Sequence, residues 1–190
     1  MKNTHNSNKY PEMNIRKADR LFIDMDGTIC KWKAVTVEEL YEPGYFLNLE
    51  PDTALLRAFR PLISRDGHER SRARGEFFYI TGCYLDPDAD IYILSVALGI
   101  PQIHEKNIWL DEYFPVPYSN RIFCECIQDK AYAAESYLGE SVNGGWCLID
   151  DYSPNCCKWS VAGGYAMKYI NGINGSGKIW KGKRLELAKG

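Results

Sequence analysis

The chain has 190 residues, of which 45% are hydrophobic and 25% charged. That composition excludes a disordered chain or a low-complexity fibre and fits one globular domain with room for a small insertion. Lys and Arg number 23 against 25 Asp and Glu, a net charge of -2, so no overall basic field is available to attract nucleic acid or anionic lipid.

Residues 1–19 are polar and hold no apolar segment of signal-peptide type, so they read as a flexible N-terminal arm. No apolar run approaches the roughly 18 residues of a spanning helix; 91–98, among the longest, is interrupted by Ser95. These readings predict a soluble, cytoplasmic protein with no membrane and no nucleic-acid partner. The seven Cys then read as free thiols. Cys124 with Cys126, and Cys156 with Cys157, lack the C-x2-4-C spacing of zinc sites.

Arg20–Asp24 is a short apolar run ending in acid, followed by Gly27, the pattern of a buried strand entering a loop. Beyond Cys30 the text turns to helical patches at Val37–Tyr41 and Thr53–Ile63, with a Pro43-Gly44 turn between them. The very polar run Ser64–Arg74 reads as a solvated loop. Further strands are predicted at Phe77–Thr81, Ile91–Ser95 and Trp146–Asp150, and helices at Lys106–Tyr113 and Asp129–Leu138. Such alternation is the signature of an α/β fold with a parallel sheet, whose ligand site lies at the carboxyl ends of its strands. The rule makes Asp24, Ser95 and Asp150-Asp151 neighbours in space. Near the C-terminus, Gly172–Lys178 fits G-x-x-x-x-G-K, but Ile179 replaces the metal-binding hydroxyl, so the segment reads as a glycine-rich turn. His5, His68 and His104 have no partner at ligand or triad spacing.

Asp24-Met-Asp26-Gly27-Thr28 sets two carboxylates two residues apart just past a strand, where a turning backbone can aim both into one cleft. Two such acids repel unless a cation lies between them, and a hard divalent ion such as Mg2+ suits oxygen donors. An Asx-turn closing a strand would also explain them. The second acid pair, Asp150-Asp151, again ends an apolar run, and carboxylates at two strand ends of one sheet are costly to bury without a cation.

With these residues, Phe22–Thr28 and Leu148–Asp151, the sequence resembles the haloacid dehalogenase superfamily over roughly 20–187, with 63–89 unmatched. The resemblance implies a Rossmann-like sheet with a small helical cap, divided as core at 20–30 and 76–190 and cap at 31–75. It implies Asp24 as the nucleophile that takes a phosphoryl group and Asp26 as the acid/base. Asp24, Asp26 and Asp151 are the expected Mg2+ ligands, with Asp150 in support of Asp151. Ile91–Ser95 looks like the second motif, with Ser95 bonding phosphoryl oxygens, although Thr81 in Phe77–Gly82 competes. The third-motif lysine is Lys130 or Lys106, and the strand Arg121–Phe123 just before Asp129-Lys130 favours Lys130. An acid at position 26 is the mark of the phosphatases and phosphomutases of that superfamily.

The Glu105–Leu110 segment resembles the 5'(3')-deoxyribonucleotidase branch. The implied function is a 5'-nucleotidase acting on nucleoside monophosphates, as a monomer or homodimer, with Trp32, Tyr45, Phe46, Ser95 and Lys130 at the substrate. A phosphatase of another small phosphate, such as a sugar phosphate, and a catalytically silent binding module are the alternatives. The Arg-rich stretch 65–74 departs from the pattern.

Overall fold

Leu21, Phe22 and Ile23 are all fully buried, as a strand covered on both faces requires, because successive side chains point to opposite sides. In the computed structural model, which describes residues 15–32, 36–125, 129–172, 174 and 179–187, they lie in β1 (Arg16–Ile23). Strands β2 (Cys83–Val96), β3 (Arg121–Cys124), β4 (Trp146–Asp150), β5 (Tyr165–Tyr169) and β6 (Lys183–Leu185) complete an all-parallel sheet in the order β3-β2-β1-β4-β5-β6. The expected α/β, Rossmann-like architecture is therefore present. No helix among the described residues is long and apolar enough to cross a membrane.

Alternation along the strands builds two cores. Leu21, Ile23, Cys147, Ile149 and Met167 face one layer, which holds α1 (Thr53–Phe59), α2 (Gly67–Thr81) and α3 (Ile100–Tyr113). Phe22, Leu94, Trp146 and Leu148 face the other, which holds α4 (Lys130–Leu138) and α5 (Ser153–Val161). Phe46, Leu49, Leu55, Phe59 and Leu62, from the segment expected as a cap, share the first core with Leu21 and Ile23.

Three sequence expectations are corrected. The expected loop at Ser64–Arg74, from Gly67 onward, and the expected strand at Phe77–Thr81 form one helix, α2. Asp66 caps its start by accepting from the His68 N–H at 2.8 Å, and Gly82 ends it at φ 68°. Its buried residues, Ala73, Phe77 and Thr81, recur every fourth position. A polar first half and an apolar second half hid that stripe from a reading by composition. β1 also begins at Arg16 rather than Arg20: Arg16, Lys17 and Ala18 pair with Cys83, Tyr84 and Leu85, taking four residues from the expected arm. Residues 1–14 of that arm, and Ile173 and 175–178 of the glycine-rich turn, lie outside the described residues.

The chain leaves β1 for β2 and β3 on one side, then returns past β1 to lay β4, β5 and β6 on the other. The order reverses between β1 and β4, and crevices form at the carboxyl ends at such a reversal. The Asp24 N–H donates to the Ile149 carbonyl at 2.9 Å, so the two acid-bearing ends are tied directly. Phe22 lies beneath that junction, its ring centroid 5.1 Å from Tyr92, 5.2 Å from Trp146 and 4.9 Å from Trp159. Phe22→Ala is expected to cost about 3–5 kcal/mol of stability, read from the midpoint of urea unfolding; a loss below about 1 kcal/mol would contradict this packing.

Candidate functional site

The turn after β1 is shaped by hydrogen bonds from Thr28 N and Cys30 N to the Met25 carbonyl, each 3.1 Å, and from Gly27 N to the Cys30 carbonyl, 2.9 Å. It turns Asp24 inward, where Oδ2 accepts from the Thr28 hydroxyl at 3.0 Å and Oδ1 accepts from the Lys130 ammonium. Gly27 has φ +83°, and a Cβ there would stand 2.3 Å from Asp151 Oδ2. Only glycine lets the turn approach the second acid pair so closely.

Lys130 opens α4 directly after its N-cap, Asp129, which aims the ammonium at the strand ends; Nζ also donates to Asp150 Oδ2 at 2.7 Å. The same Oδ2 accepts from Asn155 Nδ2 at 3.0 Å, and Oδ1 accepts from Tyr152 N at 2.7 Å. Asp151 Oδ2 accepts from Asn171 Nδ2 at 2.7 Å and Asn174 Nδ2 at 2.6 Å. Its backbone carbonyl accepts from Lys168, a third buried lysine.

Carboxylate oxygens of Asp24, Asp150 and Asp151, all buried, lie within 4.8 Å of one another. Three hard oxygen donors at that spacing fit Mg2+ or a similar divalent ion. Asp150 thus joins the metal-capable group, whereas the side chain of Asp26, expected there, turns away to Lys106 and Ser95. The described cysteines are free thiols and contribute to no such group among the described residues.

The electrostatics show a site short of positive charge. Burial pushes the Asp24 carboxyl well above its ordinary range; Lys130 opposes the rise, and Asp150, Asp151 and Asp26 add to it. Asp151 is pushed up to about 6, first by burial and then by Asp150, against the hydrogen bonds of Asn171 and Asn174. Burial disfavours the charge on Lys130, yet Asp150 and Asp24 outweigh it and hold the ammonium protonated.

A cavity of about 310 Å³ opens over these acids, lined by Asp24, Asp26, Lys130, Asp150 and Asp151, with walls from Trp32, Leu40, Phe46, Leu98 and Tyr152. Tyr45 lies outside it, along a neighbouring groove, with its ring edge-on to both Trp32 and Phe46. Burial, and then Asp26, push the Tyr45 phenol up to about 12. Ser95 is fully buried beneath Asp26, to which it donates at 3.3 Å, and does not line the cavity. Thr81 sits at the end of α2 and donates back to the Phe77 carbonyl at 2.6 Å, so of Thr81 and Ser95 it is Ser95 whose hydroxyl reaches the acids. Lys130 and Lys106 both belong there, one on Asp24 and one on Asp26.

Sequence reasoning missed the amide shell of Asn155, Asn171 and Asn174. The last two fall in and beside the glycine-rich turn, where nothing but their spacing from Asp151 marked them. Comparison with known proteins adds no assignment: no family model matches the chain and no curated protein matches it.

Two outcomes follow from this geometry. Gly27→Ala places a methyl group against Asp151 and strains the turn, so Mg2+ affinity measured by calorimetric titration is expected to fall about 10- to 100-fold, the range for ligand-orienting groups. The second concerns pH. Because burial raises Asp151 from 3.8 to about 6, its contribution to apoprotein stability is present at low pH and lost as pH rises through about 6. A bound divalent ion needs the ionised form. Its stabilisation, read as the gain in Tm on adding Mg2+, is therefore expected to be large above neutrality and to vanish below about pH 5.

Proposed function

We propose that this protein is a Mg2+-dependent phosphomonoester hydrolase of the haloacid dehalogenase type, acting on nucleoside monophosphates. The observation that carries the reading is Asp24 itself: a buried carboxylate inside a metal-capable acid cluster, gripped by a buried lysine, with a second acid two residues on.

A divalent ion held by Asp24, Asp150 and Asp151 would offset the negative charge of a phosphate brought against three carboxylates. Lys130 neutralises further charge from the protein side. Asp24 attacks phosphorus, forming a P–O bond to its carboxylate as the ester P–O bond breaks, and Asp26 gives its proton to the departing oxygen. Asp26 then takes a proton from water, which attacks phosphorus, breaks the P–O bond to Asp24 and releases phosphate. Both aspartates line the one cavity, as this two-step sequence requires.

The walls support the substrate class. Trp32 and Phe46 present aromatic surface, and Leu40, Leu98 and Val96 are apolar, which suits a flat, uncharged base. At about 310 Å³ the cavity is at the small end of ligand pockets, roughly 300–1,000 Å³, in keeping with a single phosphate on a compact partner. Asp24→Asn is expected to lower turnover by about 10⁴-fold or more with unfolding midpoint little changed. The assay is Mg2+-dependent phosphate release from ribo- and deoxyribonucleoside 5'- and 3'-monophosphates beside sugar phosphates. Preference for sugar phosphates would redirect the substrate class; no release from any of them would leave a binding module.

A further inference from the structure

The reaction just described gives Lys106 no part, yet its side chain is fully buried at the site. An ammonium has three N–H donors, and all three are engaged: on Asp26 Oδ2, on Ser95 Oγ at 3.0 Å and on the Val96 carbonyl at 2.5 Å. The remaining side is covered by the Phe46 ring, whose centroid lies 4.4 Å from Nζ. The neighbouring Glu105 accepts from the backbone N–H of Gly44 at 2.6 Å and of Phe46 at 3.0 Å. Consecutive residues of α3 therefore hold the second acid and the ring that walls the cavity above it.

Charge neutralisation alone does not account for this lysine. The Asp26 side chain keeps 16% of its surface exposed and lines the cavity, so water reaches it, whereas burying an ammonium is costly. What the lysine supplies is geometry. Asp26 Oδ2 is fixed by Lys106 and Ser95, and among the described residues Oδ1 has only a 3.9 Å contact from the Cys30 thiol.

We infer that Lys106 is a positioning residue: it acts through Asp26, holding that carboxylate at the cavity floor and in register with the Phe46 wall. The inference rests on the reading of Asp26 as the acid/base. Its test is a double-mutant cycle of Lys106→Met and Asp26→Asn, with kcat and KM measured on the best monophosphate substrate. Lys106→Met alone is expected to lower kcat about 100-fold while KM stays within about twofold. In the Asp26→Asn background it is expected to bring no further loss, because the group it acts through is gone. Loss of the same factor in both backgrounds, or a rise in KM with kcat unchanged, would overturn the inference.

The double variant removes both charges and leaves no unpaired carboxylate beside the site, so it gives a folded structure to set against Asp26→Asn if the single lysine variant folds poorly. A crystal structure of Lys106→Met, or of the double variant against Asp26→Asn, gives a readout independent of turnover. A displaced side chain at position 26 is expected, and one that stays in place overturns the inference whatever the kinetics. A wild-type protein silent on every phosphate withdraws the acid/base reading and this inference with it; an active protein with an additive cycle overturns Lys106 alone.

Discussion

Carboxylates at the ends of two adjacent parallel strands repel one another, and in a buried setting that repulsion is strong. The structure tolerates Asp24, Asp150 and Asp151 together because the Lys130 ammonium bridges the first two and side-chain amides cover the third. Much of the local architecture follows from this constraint. Asp129 starts α4 at the position that delivers Lys130 to the strand ends. Gly27 clears space beside Asp151, and Lys168 crosses from β5 to hold the Asp151 backbone. Compensation remains incomplete, since Asp24 and Asp151 both resist ionisation. A divalent cation is the group that would complete it.

The parts of this arrangement legible in the sequence were those written as contiguous patterns. Leu21–Ile23 and Trp146–Ile149 are apolar runs ending in acid, and a parallel sheet places such ends side by side. α2 was illegible because its helical stripe is only Ala73, Phe77 and Thr81, spread across a polar half and an apolar half that composition separates. The commitment of Asp26 was also illegible. D-x-D spacing says that two acids share a turn, but not that the second points to a lysine 80 residues away. Lys106 and Lys130 looked like rivals for one role, because a sequence cannot show that each acid has its own buried partner.

Trp32, Tyr45 and Phe46 show the same limit for a binding surface. Their aromatic character was plain, and the mutual edge-on contacts explain why they cluster. Which of them faces the cavity depends on how α3 fastens the segment between β1 and α1, through Glu105 and through Gln102, whose amide donates to the Leu40 carbonyl at 3.0 Å. Trp32 and Phe46 line the cavity and Tyr45 supports them from outside.

The alternation of Phe22 and Ile23 has a mechanical meaning. Adjacent side chains of β1 are anchored in opposite layers, so the strand is clamped from both faces one residue before Asp24. The floor of the cavity is thus a rigid datum, fixed by two cores at once. Its Phe46 wall is tied to α3 by two backbone hydrogen bonds to the Glu105 carboxylate and by the packing of the ring on Lys106. The acids take their spacing from the sheet, and the wall above them takes its place from the helix.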